Sequence, residues 1–202
     1  MSKMSMNTLS DSCELALQAF LVADQDRYNQ ISNNTSYKLD GIRLNPKLPA
    51  NKCTIDPKTF SSHHIYEIRN NQCKILFGVL VTTSVEALKF FLSQNTLIKL
   101  SNNAKAFQAI VYCMRNAFAH NPTGGTWNIK SSKGKSNSGY YAKVWEFQHQ
   151  IGSTMVDISL DLTKADSVEL DFDKDLGGFY NAFLLIHLCR QLFDGTVSIA
   201  NI

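Results

Sequence analysis

Between Met114 and Pro122 the chain reads MRNAFAHNP, which places Arg115, Asn116 and His120 within six residues. Side chains of these types can do chemistry together. An imidazole with an ordinary pKa of about 6.5 can take or give a proton around neutral pH. A guanidinium presents a rigid two-pronged donor to phosphate oxygens. An amide one turn from the imidazole can orient it or bond a ligand. The same three residues also suit a plain helix end. A histidine in a last turn meets the helix dipole and the open carbonyls, asparagine stops helices, and arginine beside a core stripe is an ordinary boundary residue. On the residues alone both readings stand.

A helix must position them. At 100° per residue, Phe107, Ile110, Val111, Met114 and Phe118 share one arc that faces a core. Asn116 and His120, four apart, stack on one side, away from the centre of that arc. Arg115 lies on the other flank, where its stem can run along the helix end or reach a neighbouring subunit. Ser101 or Asn102 caps the start of this helix, and Pro122 with Gly124 and Gly125 ends it.

Two helices are expected before it. The first begins near Asp11, where Asp11 and Glu14 have capping-box spacing, buries Leu15, Ala16, Ala19, Phe20 and Ala23, and fades by Tyr28 to Ile31. Residues 32–59, rich in Asn and Lys with three prolines, read as an irregular connection. The second carries Ile75, Leu76, Val79, Leu80, Thr83, Ala87, Phe90 and Phe91. Apolar residues nearly encircle its start, as in a central helix.

After the third helix the period changes to two. Thr126 to Ile129, Tyr140 to Phe147 and Thr154 to Leu162 read as strands, and Val168 to Phe172 adds a short one. In the third, Val156, Ile158, Leu160 and Leu162 face one way, and Asp157, Ser159 and Asp161 the other. An apolar helix from Leu176 to Phe193, with Asp175 as N-cap, closes the chain. The expected architecture is a single domain, mainly α within the α+β class. It is an up-and-down helical bundle with a small antiparallel β-meander over 126–172 inserted before its last helix. A lone meander is marginal in water, so its apolar face should pack on a helix.

With 202 residues, 44% hydrophobic and 18% charged, the chain can build a real core. A formal net charge of +3 is compatible with a polyanionic partner and does not demand one. The five cysteines are scattered, without a CxxC pair, and fit reduced core thiols of a cytosolic protein. MSKMSMNTLS lacks the apolar segment of a secretory signal. The longest apolar run, Ile75 to Val81, is far short of the roughly 20 residues that cross a bilayer. A soluble, cytoplasmic protein without membrane contact is expected.

The stretch Arg115-Asn116-Ala117-Phe118-Ala119-His120 resembles the RxxxxH motif of the HEPN superfamily. These are small helical-bundle domains, and many members are metal-independent endoribonucleases, often acting as dimers. The family motif lies on a late helix, often with a polar residue directly after the arginine, as Asn116 is here. The resemblance covers the helical bundle, while the 32–59 segment and the strands lie outside the minimal family pattern. It implies an RNA substrate and no metal or cofactor. A 2′-hydroxyl is deprotonated and attacks the adjacent phosphate, with His120 as base or acid, Arg115 stabilising the phosphorus centre, and Asn116 orienting the imidazole or bonding the RNA. One chain supplies one such histidine, so this chemistry favours a homodimer with both third-helix ends in one cleft. A toxin or stress nuclease of this kind would have an antitoxin or another protein partner. The resemblance equally covers a catalytically silent module that dimerises or holds a protein partner or nucleotide.

Other candidates carry less. Lys130, Lys133 and Lys135 follow the motif and could touch an RNA backbone or form a solvated hairpin tip. Tyr140, Tyr141 and Trp145 offer stacking surfaces or ordinary cross-strand contacts. His63 and His64, with Cys53 ten residues earlier, match no common zinc spacing, and no metal site is expected. His149 falls in a strand-connecting turn, and His187, among Leu184, Leu185, Ile186 and Leu188, reads as a core or interface histidine. With no P-loop, GxGxxG or GxSxG pattern, nucleotide-hydrolysing and serine-hydrolase readings have no support.

Overall fold

The apolar stripes assemble around one helix. The computed structural model describes residues 6–33, 62–120, 126–128, 143–163 and 169–202. In chain order they form α1 (Met6–Asn33), α2 (Ser62–Gln94), α3 (Asn102–His120), β1 (Thr126–Asn128), β2 (Val144–Ile151), β3 (Thr154–Asp161), β4 (Glu169–Asp171), α4 (Phe172–Asp175) and α5 (Phe179–Phe193), followed by a 3-10 turn at Ile199–Asn201. Most of the connection expected over 32–59, and the whole 130–139 loop, lie outside the described residues.

α2 is the centre. Cys73, Phe77, Leu80, Val81, Ser84, Val85, Ala87 and Leu88 are buried, an arc of about 160° at helical spacing. Phe77 meets Phe20 of α1 at 5.4 Å, Phe118 of α3 at 5.3 Å and Phe179 of α5 at 4.3 Å between ring centroids. The contacts also give directions. Cys73 lies by Asp24 and Cys13 by Thr83 and Ser84, so α1 and α2 are antiparallel. Phe118 lies by Phe77 and Tyr112 by Lys89, so α3 runs against α2. Phe183 lies by Phe20 and Arg190 pairs with Glu14, so α5 runs against α1. The bundle is up-and-down, as the patterning implies.

α3 starts where Ser101 caps it. The Ser101 Oγ accepts the Ala104 N–H at 2.9 Å, and its carbonyl accepts that of Lys105 at 3.1 Å. The expected stripe is all buried, with Phe107, Ile110, Val111 and Met114 fully so.

The insertion before the last helix is antiparallel, but its strands form two ribbons instead of one sheet. β2 pairs with β3, and β1 pairs with β4 outside them, Trp127 opposite Leu170. The β2–β3 hairpin turns at Gly152 and Ser153, which puts His149 inside β2 opposite Val156 and not in the turn. Its apolar face, Phe147, Ile151, Val156, Ile158 and Leu160, is buried and packs on α3, with Phe107 and Phe147 at 5.5 Å. Asn103 clamps this packing. Its Nδ2 donates to the main-chain oxygens of Gln148 (2.8 Å) and Ile202 (2.9 Å), and its Oδ1 accepts the Gln148 N–H at 3.0 Å. Asn103→Ala should therefore cost about 1–3 kcal/mol, because it removes the side-chain partner of the Gln148 N–H and of the Gln148 and Ile202 main-chain oxygens. Urea denaturation should show a lower midpoint at unchanged slope, and Gln148 amide exchange should speed up. An unchanged midpoint would show that water replaces the clamp.

Several expectations shift. α1 begins before Asp11, so the Asp11–Glu14 pair lies within the helix and Glu14 pairs with Arg190 instead of capping. Its buried stripe is Cys13, Ala16, Phe20 and Ala23, while Ala19 is exposed and Leu15 is 66% exposed. α5 starts at Phe179, and Asp175 ends the one-turn α4 instead of capping. Gly177 (φ 70°) and Gly178 (φ 97°) separate them in backbone conformations that no α-helix adopts. α2 does not bury its whole circumference, since Ile75 and Val79 are 43% and 45% exposed. One segment of it, Asn70–Gln94, is long and apolar enough by composition to cross a membrane, beyond what the run Ile75 to Val81 suggested. Here it is the core helix of the bundle, which needs apolar residues along its length for three neighbours.

Candidate active site

The end of α3 is held against α2 by close packing. A Cβ on Gly78 would stand 3.0 Å from Phe118 Cδ1, so glycine lets the aromatic ring lie directly on the α2 backbone. Phe118 also packs edge-on against Phe77. This fixes the rotation of α3 about its axis and carries Arg115 to the flank that faces α2.

Arg115 does not run along the helix end. It crosses to α2 of its own chain, where Nη2 lies 3.2 Å from Glu86 Oε1. Its Nη1 donates to Asn116 Oδ1 at 3.3 Å, and Nε is buried with no hydrogen-bond partner. Lys89 Nζ reaches the same Glu86 oxygen at 2.9 Å and stands 5.2 Å from the Tyr112 ring centroid, while Gln108 donates to the Tyr112 hydroxyl. Two cations therefore share one carboxylate oxygen, leaving a local charge of +1. The Arg115 and Glu86 side chains are 33% and 40% exposed. Pairs so exposed contribute about 0.2–1 kcal/mol, so this one sets the direction of the guanidinium more than it holds the fold.

Of the residues singled out in the sequence, Arg115 and Asn116 are brought together. Asn116 is exposed, and its amide oxygen is engaged by the arginine. His120 is the last residue of α3, and its side chain lies outside the described part of the structure, as do Lys130, Lys133 and Lys135. Cys53 and the side chains of His63 and His64 do too. Among the described residues no group of three His, Cys, Asp or Glu could hold a metal ion. Glu86 and Lys89 were missed, and a signal existed. They are the only charged residues between Lys74 and Gln94, three apart in an otherwise apolar helix.

A groove of about 240 Å³ continues the same face, lined by Ile75, Gly78, Val79, Thr82, Thr83 and Phe118. Its two hydroxyls bond back to the helix, Thr82 to the Gly78 carbonyl at 2.9 Å and Thr83 to that of Val79 at 3.0 Å. The groove thus presents methyl groups and ring edges. Thr82 is one turn from Glu86, and Phe118 one turn from Arg115, so the charged cluster borders an apolar trough.

Other titratable groups lie away from this seam. Burial pushes the Cys113 thiol up to about 12. It also raises Cys189 and, against the pull of Arg190 and the neighbouring hydroxyls of Thr83 and Ser84, Cys13. These three are free, buried thiols, poor nucleophiles at neutral pH. His187, expected in the core or at an interface, is half-buried. Burial first, then the nearby Arg190, lowers its pKa, against a smaller opposite pull from Asp194. Its protonation is thus harder in the folded than in the unfolded chain. Its contribution to stability is complete above the ordinary histidine value of about 6.5 and is lost as pH falls below it. Melting temperatures between pH 7.5 and pH 5 should fall more steeply for the wild type than for His187→Gln. Parallel profiles would contradict this.

Comparison of the chain with family models, curated proteins and solved structures finds no match.

Proposed function

We propose that this protein is an endoribonuclease of the HEPN type that cleaves RNA without a metal ion. The observation that carries this reading is the guanidinium of Arg115, oriented by Glu86 and Asn116 within the RNAFAH segment. A base removes the proton of a ribose 2′-hydroxyl, the 2′-oxygen bonds to phosphorus, the P–O5′ bond breaks, and an acid protonates the departing 5′-oxygen. His120 serves as base or acid, and Arg115 stabilises the charge on the equatorial phosphate oxygens. Asn116, one turn before His120, orients the imidazole or bonds the RNA. A homodimer with both α3 ends in one cleft supplies the second histidine, Lys130, Lys133 and Lys135 contact the RNA backbone, and the protein works in the cytoplasm. The test is incubation of structured and unstructured RNA with purified protein in EDTA, with sedimentation of the same sample. Products ending in a 2′,3′-cyclic phosphate, made by a dimer, support the reading. Intact RNA throughout counts against it.

The apolar groove favours one second reading, a silent HEPN-like module that seats a protein partner such as an antitoxin on α2. On that reading Arg115 is helix-end structure, and its removal leaves partner binding unchanged.

A further inference from the structure

We infer that Glu86 is the positioning residue of this site, and that it holds Arg115 and Lys89 as a pair of cations for a single phosphodiester. The inference rests on the nuclease reading and extends the site from α3 onto α2. Three observations carry it. Both cations meet the same carboxylate oxygen, Lys89 at 2.9 Å and Arg115 at 3.2 Å, so one group fixes both. The guanidinium has five N–H donors, of which one on Nη1 goes to Asn116, while Nη2 stands in ion-pair contact with Glu86. That leaves an N–H on each terminal nitrogen for an incoming oxygen. Finally, the cluster keeps a net positive charge, since one carboxylate offsets only one of two cations.

Position and charge then pull in opposite directions. Glu86 orients the guanidinium for the transition state, where misplacement by an ångström is costly. Its negative charge also weakens the ground-state attraction of RNA. Loss of the charge should thus slow the chemical step and tighten substrate binding, a combination that damage to the fold does not produce.

The experiment is steady-state cleavage of a short single-stranded RNA in EDTA, with binding of its all-deoxy counterpart measured by fluorescence anisotropy. Wild type, Glu86→Gln, Glu86→Asp, Arg115→Ala and the Glu86→Gln/Arg115→Ala pair are compared after melting curves confirm folding. Glu86→Gln should lower kcat by about 10- to 100-fold while KM and the Kd for the deoxy strand fall or stay level. Glu86→Asp should recover part of kcat. Adding Glu86→Gln to Arg115→Ala should cost less than the two single losses multiplied, because only the hold on Lys89 is then left to lose. Wild-type kcat in Glu86→Gln, or losses that multiply in the pair, would overturn the inference and leave the nuclease standing. Absence of cleavage by the wild type would overturn both.

Discussion

Arg115→Ala is expected to lower RNA cleavage by about 100- to 1,000-fold, the usual loss when one preorganised donor to a transition-state oxyanion is removed. His120→Ala is expected to lower it by about 100- to 10,000-fold, the range for a general acid or base. Neither should unfold the protein. Arg115 makes one exposed ion pair and one contact to its sequence neighbour, and His120 is the final residue of its helix. Arg115→Lys separates charge from geometry. It keeps the cation and loses the planar fork, so its activity should fall between wild type and alanine. The measurement is initial rate on one RNA with EDTA present and melting curves alongside. If MRNAFAHNP is only a capped helix end, all three variants cleave like the wild type or none cleaves at all. Cleavage reduced in variants that melting curves show to be folded assigns the chemistry to this helix end.

The parts of the fold that were legible share a physical feature: one face is buried and the pattern has no rival. In β3, Val156, Ile158 and Leu160 are all within 2% of full burial, because that side of the hairpin faces the core and the other faces water. The α3 stripe was legible for the same reason. α1 offered two apolar stripes, one through Cys13, Ala16 and Phe20 and another through Leu15, Ala19 and Val22. Only the position of α2 selects the first. The pairing of β1 with β4 joins three-residue strands about forty residues apart, too short for any alternation to show. The glycine pair after Asp175 displaced a cap that composition alone would grant. At the site, Arg115 and Asn116 could be read from their own helix. Glu86 could not be assigned to them, since their meeting depends on Gly78 admitting Phe118 and so on the rotation of α3.

Phe77→Ala should be the most damaging single truncation of the fold, costing about 3–5 kcal/mol through lost transfer energy and the cavity left behind. For a chain of this size that is a fall of roughly 6–20 °C in melting temperature. The ring is fully buried and touches an aromatic on each of α1, α3 and α5. No single neighbour can relax into the space without drawing away from another helix, so the cavity should stay open. Phe77→Leu keeps most of the volume and should cost under about 1.5 kcal/mol, which separates packing from ring contacts. The same ring backs Phe118, three residues after Arg115. Activity should therefore drop in Phe77→Ala at temperatures where the chain is still folded, because the end of α3 can rock on α2 before the bundle melts. Stability loss with activity retained up to the melting transition would show that Gly78 and the Glu86 pair suffice to hold the arginine. A loss below about 1 kcal/mol would mean that α2 is not the helix on which the bundle is built.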